Sequence, residues 1–120
     1  MLAAMDANRA IADLTEISPQ ICDVVIVGAD GAIAGTNAGP EEAGRLADAA
    51  RRLAEAADAL RPEQVAQLEA ATTTGSVFVV RDGDRMIAAT TAPEPTVGLV
   101  FYDLKTCLRS SGSDAHNAAA

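Results

Sequence analysis

Aromatic and basic residues are scarce in this chain of 120 residues. It has no Trp, two Phe and one Tyr, so large flat rings that could stack on bases, sugars or ring cofactors are mostly missing. Lys and Arg total 9 against 17 Asp and Glu, which gives a formal net charge of −8 at pH 7. Because nucleic acids and anionic membranes are bound through basic patches, this balance argues against both as partners.

The chain also lacks the residues that the common catalytic and phosphate-binding sites require. Its single histidine, His116, is close to the end of the chain, which argues against His-based triads and His-rich metal centres. No Gly-Lys-Ser or Gly-Lys-Thr sequence is present, so the chain itself is not expected to bind GTP. The Gly-rich stretch 28–35 runs into a β-branched strand, which favours a turn over a dinucleotide loop. We therefore predict no catalytic residue, metal or cofactor.

Cysteine is rare, with Cys22 and Cys107 far apart in apolar patterns. We expect both to be reduced thiols packed in the core, with a disulfide or a catalytic thiol as the alternatives. The sequence begins without a signal-peptide pattern and has no apolar run near ~20 residues, which predicts a cytoplasmic protein. The length fits one domain, assigned to residues 1–112, and residues 113–120 are expected to form a disordered tail.

The most informative pattern is a long helix predicted from Pro40 to Arg61. Ala and Leu alternate in a seven-residue rhythm, and the apolar arc covers roughly half of the helix, wider than the ~100° that one core requires. That width suggests one contact with the chain's own sheet, through the leucines, and one with a partner helix, through the alanines. A single, fully covered helix is the alternative. The rhythm comprises Ala43, Leu46, Ala50, Leu53, Ala57 and Leu60, flanked by Ala47, Ala49, Ala54 and Ala56.

The opposite side of this long helix is charged. Arg45, Arg51 and Arg52 could contact an acidic partner surface. The alternative is that these arginines are solvated and form pairs with Asp48, Glu55 or Asp58 of the same helix.

Two hairpins are predicted, each from an Asp-Gly pair between strand-like segments. The Asp30-Gly31 and Asp82-Gly83 pairs suit the positive φ angles of type I′ turns. A weak cation site at Asp82–Asp84 is the disfavoured alternative to a charged hairpin tip. The predicted hairpins pair residues 22–27 with 32–36, and 76–81 with 85–91.

Two further helices and one ambiguous segment complete the sequence-based assignment. Residues 2–17 predict a helix that ends at Ser18-Pro19, and residues 97–109 predict the last helix. Residues 65–73 alternate apolar and polar side chains, which favours a half-exposed strand, although Ala and Glu also suit a helix. The apolar faces of the helices comprise Ala7, Ala10, Ile11, Leu14 and Ile17 in the first, and Val97, Val100, Phe101, Leu104 and Leu108 in the last.

The ordered set of elements resembles the Roadblock/LC7 domain family over residues 7–110. The likeness rests on the strand that ends in Gly28-Ala29-Asp30-Gly31, the Ala/Leu helix after it, and the Thr-Val-Gly-Leu-Val-Phe-Tyr-Asp-Leu segment at 96–104. This resemblance implies an α+β fold of profilin-like layout. A five-stranded antiparallel sheet would lie between one long helix and two terminal helices, in the order α-β-β-α-β-β-β-α.

The resemblance also implies a function, that of the MglB-like branch. Its members are non-catalytic scaffolds and regulators of Ras-like small GTPases, which form homodimers by packing their long helices and pairing their middle strands. A small-ligand sensory domain and a purely structural scaffold are the alternatives, and a monomer whose edge is protected by Gln67 and Glu69 is the alternative to the dimer. The expected interface comprises Ala43, Leu46, Ala47, Ala50, Leu53, Ala54, Ala57, Leu60, Leu68 and Ala70, with Arg45, Arg51 and Arg52 as further contacts.

Overall fold

A computed structural model of the protein describes residues 6–112 and contains three helices and one five-stranded antiparallel sheet within that range. The strand order in the sheet is β2-β1-β5-β4-β3. This confirms the fold class and the element order expected from the sequence. The expectations for residues 2–5 and for the 113–120 tail lie outside the described residues. The elements are α1 (Ala7–Ile17), β1 (Ile21–Val27), β2 (Ile33–Thr36), α2 (Pro40–Asp58), β3 (Gln67–Thr72), β4 (Gly75–Asp82), β5 (Arg85–Thr91) and α3 (Val97–Ser110).

The sheet has an apolar core on each of its two faces. Successive residues of a strand point to opposite faces, so Val24 and Ile26 face α1 and α3 while Val25 and Val27 face α2. All four side chains are buried, as the continuous apolar run in β1 predicted. One core therefore joins the sheet to α1 and α3, and a smaller core joins it to α2.

Within the described residues, helix α1 begins at Ala7. Asp6 has an extended backbone, and its side chain accepts a hydrogen bond of 2.8 Å from the Arg9 N–H, so Asp6 caps a helix that begins at Ala7. Ile17, which was expected on the buried face, is 73% exposed. The helix ends there, as the Ser18-Pro19 pair predicted, and its last side chain lies beyond the edge of the core.

Helix α2 ends at Asp58, three residues before Arg61, where the sequence predicted its end. Pro40 occupies its first turn, as expected. The next residues form a turn, in which the Leu60 N–H donates to the Ala57 carbonyl and the Arg61 N–H donates to the Asp58 carbonyl. The Asp58 carboxylate also accepts a hydrogen bond from the Val65 N–H at 2.8 Å, a contact that the sequence pattern does not show. The chain turns back toward the sheet at this point, and Leu60 is left 80% exposed.

Both predicted hairpins form, but their turns differ from the expected type I′. At the second turn Asp82 pairs with Arg85, so Gly83 and Asp84 form the loop, and only the glycine has a positive φ, at 65°. That arrangement is typical of a type II′ turn. The first loop is longer, spanning residues 28–32, with Gly31 at a φ of 85°. The ambiguous 65–73 segment contains strand β3, as its alternation favoured.

Candidate partner-binding surface

Alanine forms most of the sheet-facing side of α2. Ala43, Ala47, Ala50 and Ala54 are at most 3% exposed, and Leu46 is buried beside them. These five residues, expected at a partner interface, therefore pack within their own subunit. The expectation that the alanines face a partner helix is wrong for these four alanines. Branched side chains of the sheet fill the space beneath α2, so a close-packed interior leaves room only for small residues on the helix.

A second flank of α2 is apolar and incompletely covered. Leu53, Leu68 and Val77 pack against the α2-side core but remain partly exposed. Ala57, one turn after Leu53, and Ala70, which pairs with Val77, are also half-buried. We call these five residues the lateral patch. It brings together four of the predicted interface residues, from α2 and from β3, and Leu60 lies beyond the end of the helix.

The lateral patch adjoins the open edge of strand β3. The Arg81 N–H donates a hydrogen bond of 2.7 Å to the Ala66 carbonyl, so Ala66 and Arg81 form a hydrogen-bonded pair between the segments of β3 and β4. Hydrogen-bonded and non-bonded pairs alternate in an antiparallel ladder, so the backbone groups of Gln67, Glu69 and Ala71 point away from β4. Each of these residues presents one N–H and one C=O group to the free edge of the sheet.

The opposite edge of the sheet, at β2, is obstructed by α1. The Thr36 N–H donates a hydrogen bond of 3.0 Å to the Asn8 side chain. Gly35 lies so close to α1 that a Cβ atom at this position would be 2.6 Å from the Ala7 Cβ. Free edges are templates for strand pairing, and covering one is a common means of protection. Of the two edges, β3 is therefore the one available for pairing with another chain.

The arginines of α2 have partners within the chain. Arg45 and Glu42 form an exposed ion pair at 3.1 Å, and Arg52 and Asp48 form another at 3.3 Å. Exposed pairs of this kind contribute little to stability, about 0–1 kcal/mol. Arg51 instead donates a hydrogen bond to the Gly31 carbonyl of the first hairpin. Only Arg52 has one of the partners named in the sequence-based alternative, and a role for these arginines in partner binding stays a prediction.

Arg81 is the residue of this region that sequence reasoning missed. Its side chain is 13% exposed and donates two hydrogen bonds to the Asp58 carboxylate, at 2.6 and 3.0 Å, and one to the Val65 carbonyl at 2.8 Å. The hydrogen bonds from Arg81, then the bond from the Val65 N–H, hold the pKa of Asp58 below its usual range. These contacts fix the segment between α2 and β3, and thereby the position of the open edge. The sequence did contain a signal for this contact, because Arg81 follows a buried apolar strand and a charged side chain in that position requires a partner.

The two cysteines differ in burial. Cys22 is exposed, so the expectation that it packs in the core is wrong, while Cys107 is buried as expected. Burial, followed by the nearby Asp13 carboxylate, raises the pKa of Cys107 to about 12, against a smaller opposing effect of Arg85. A thiol with this pKa is protonated at neutral pH and is a poor nucleophile.

The ligand pocket considered as an alternative function was expected between the sheet and the helices. A cavity of about 210 Å³ lies there, lined by Arg51 and Glu55 of α2 and by Arg81 and Met86 of the sheet among others, and it is smaller than the ~300 Å³ of a typical ligand pocket. A cavity of about 510 Å³ is an open groove beside the β3–β4 turn. Its lining includes Glu69, Glu94, Ser76 and two threonines. Across residues 6–112, no cluster of three or more His, Cys, Asp or Glu side chains could hold a metal ion. None of the helices in this range is long and apolar enough to span a membrane.

Neither a protein-family model nor a curated protein sequence matches the chain. Solved structures do, and they show that the chain has the Roadblock/LC7 fold. A Roadblock/LC7 domain from Streptomyces avermitilis superposes with a TM-score of 0.80 at 17% identity, covering 92% of this chain and 98% of that one. The gliding protein MglB of Thermus thermophilus gives a TM-score of 0.78 at 12% identity, with 98% and 95% coverage. An MglB described as a tetrameric arrangement gives 0.71 at 12% identity, also with 98% and 95% coverage.

Proposed function

We propose that this protein is a non-catalytic, homodimeric adaptor of the Roadblock/LC7 kind that binds a Ras-like small GTPase in the bacterial cytoplasm. The observation that carries the proposal is the open edge of β3 beside the lateral patch. An edge with free backbone groups and a half-covered apolar surface together form the two halves of a sheet-extending interface. The likeness of the fold to MglB supports the same reading.

A two-fold axis beside β3 would pair the open edge of β3 and cover the lateral patch at the same time. Antiparallel pairing of β3 with its copy would satisfy the outward backbone groups of Gln67, Glu69 and Ala71. The same symmetry would bring each lateral patch against its equivalent, because a two-fold interface uses one surface twice. The second α2 helix would then cover Leu68 and Val77, which the first leaves partly exposed.

A pair of proline variants tests whether β3 pairs through its open edge. Glu69→Pro removes an N–H that points to the open edge, where proline is tolerated, whereas Ala70→Pro removes an N–H bonded to β4. We expect Glu69→Pro to remain folded by circular dichroism and to lose the doubled mass in light scattering, and Ala70→Pro to be strongly destabilised. A folded Glu69→Pro variant that kept the doubled mass would refute pairing through β3.

The GTPase partner would bind the composite surface made by the two α2 helices. The exposed ion pairs of Arg45 with Glu42 and of Arg52 with Asp48 give α2 both signs of charge, which would suit a specific protein contact. An adaptor that binds one nucleotide state of a GTPase more tightly shifts the population toward that state. The proposed mechanism is therefore positional and needs no catalytic group in this chain.

Pull-down of Ras-like GTPases from the source organism, loaded with GTP or with GDP, tests this partner. We expect retention of one nucleotide state by the wild type and weaker retention by the monomeric Glu69→Pro variant. Retention that is equal for both states and unaffected by Glu69→Pro would contradict a surface formed by paired helices. Absence of any GTPase, with the dimer intact, would favour a structural scaffold.

A further inference from the structure

The layer opposite α2 contains a second apolar depression, between α1 and α3. Its volume is about 160 Å³, close to the roughly 150 Å³ of a cavity that accommodates a benzene-sized group. A single Leu or Phe side chain is of suitable size to fill it. We call this depression the α1/α3 groove. Its lining comprises Ala10, Asp13, Leu14 and Ile17 of α1 with Asp103, Thr106, Cys107 and Ser110 of α3.

The groove continues into exposed apolar side chains at one end. The Thr96 N–H donates a hydrogen bond of 2.9 Å to the Gln20 side chain, so the end of α1 lies beside the start of α3. Ile17 is 73% exposed at this end, and Leu99, one turn before Asp103 on α3, is 49% exposed. Ile17 and Leu99 are two of the six large hydrophobic residues that are exposed within residues 6–112. Exposed apolar side chains beside a depression are typical of an interaction site.

The charge of the groove is negative. Asp13 and Asp103 are its only charged lining residues. Neither carboxylate has an ion pair or a side-chain hydrogen bond with any other residue in the range 6–112. The effect of Asp13 on the Cys107 thiol is consistent with a carboxylate directed at the groove floor. The cations of α3 near its end, Lys105 and Arg109, are not part of the lining.

We propose that the α1/α3 groove binds an amphipathic helix of another protein, with a Leu or Phe side chain in the depression and Lys or Arg residues opposite Asp13 and Asp103. The occupant is a helix because two helices form the groove and offer no free backbone edge to a strand. A third helix along the groove would cover Ile17 and Leu99 and supply the charges that the two carboxylates lack.

This second surface is independent of the proposed dimer. The groove lies on the face of the sheet opposite α2, whereas the lateral patch lies on the α2 side. One subunit could therefore hold a copy of itself on one face and a basic helix on the other. The groove proposal would therefore hold even if the chain proved monomeric, and a failure of the groove proposal would not affect the proposed dimer.

A designed peptide tests the groove directly on the full chain. The probe is a helix-forming peptide of about 16 residues, roughly 24 Å long, with one Phe and two Leu on one face and Lys and Arg on both sides of that face. A scrambled peptide of equal composition controls for the attraction of any basic peptide to an acidic protein. We expect fluorescence anisotropy to show binding of the patterned peptide at least about tenfold tighter than that of the scrambled one.

Protein variants locate the binding site. We expect Asp13→Asn combined with Asp103→Asn to weaken binding about three- to tenfold and to reduce its salt dependence, and Leu99→Ser to weaken it also. Leu60→Ser, the same substitution at an exposed leucine away from the groove, is the matched control and should have no effect. The Glu69→Pro monomer should bind like the wild type.

Three results would overturn the proposal. They are equal binding of the scrambled peptide, no saturable binding up to about 1 mM peptide, and groove variants that behave like Leu60→Ser. Removal of residues 1–5 provides a further check. A gain in peptide affinity after that removal would identify the chain's own first residues as the occupant, and would equally refute an external helix.

Discussion

Replacing Ala50 by Glu tests whether the small-residue side of α2 belongs to its own subunit. Ala50 is 0% exposed and lies in the core between α2 and the sheet. The sequence alone placed this residue against a second copy, where a glutamate would separate two folded subunits. The structure instead predicts that Ala50→Glu unfolds the subunit itself.

The size of the effect follows from two costs. Adding the longer side chain overpacks the core, at about 1–3 kcal/mol. An ionised carboxylate without a partner there costs several kcal/mol more, or takes up a proton and shifts its pKa upward. A total of about 4 kcal/mol or more is a large part of the 5–15 kcal/mol that typically stabilises a domain. For a domain of about 100 residues it corresponds to a fall in Tm of at least about 15 °C.

Thermal and urea unfolding followed by circular dichroism measure this difference. The matched control is Ala49→Glu, the same substitution one residue earlier, on the exposed side of α2. Its stability should stay within about 0.5 kcal/mol of the wild type. If Ala50→Glu were as stable as Ala49→Glu and merely lost the doubled mass, the burial argument would be refuted. The orientation of α2 predicted from the sequence, with Ala50 against a second copy, would then be supported.

Three further predictions concern other parts of the molecule. Cys22 should react with a thiol reagent in the native state, whereas Cys107, with a pKa of about 12, should react only after unfolding; absorbance of the released chromophore distinguishes them. Because the pKa of Asp58 is lowered, its contact with Arg81 should stabilise the fold above about pH 4 and be lost at lower pH, so the stability difference between wild type and Arg81→Gln should shrink on acidification. Glu94 has a φ of 59°, so Glu94→Gly should raise stability by up to about 1 kcal/mol in urea unfolding.

Local patterns sufficed for the fold because each element has its own short-range signal. The continuous apolar run of β1 requires cover on both faces, and the Asp-Gly pairs fix where two hairpins reverse. Even the ambiguous 65–73 segment shows the alternation of a half-exposed strand. These signals depend on neighbours within a few residues, so they can be recognised without knowing which elements meet.

The errors arose where a distant residue decides the outcome. The Asp58 carboxylate binds Arg81 and the Val65 N–H and so fixes the chain after α2, and no periodicity within the helix contains this information. Cys22 lies at the start of an apolar run, yet its side chain is exposed to solvent. Its exposure depends on the position of β1 within the sheet, which the run itself does not show. The groove between α1 and α3 was missed for the same reason, since its two carboxylates are far apart in sequence.

The wide apolar arc of α2 divides into a side that faces the sheet and a flank that is partly open, but alanine and leucine are shared between them differently from the prediction. Alanine covers most of the sheet-facing side, together with Leu46, because the valines of β1 and β4 already fill that space. Leu53 lies on the flank that remains partly open. Large side chains gain more from burial than small ones, at about 0.8 kcal/mol per methylene. A partner that covers Leu53 and Leu68 would therefore gain more than one that met alanines alone, and this gain is what the proposed dimer would use.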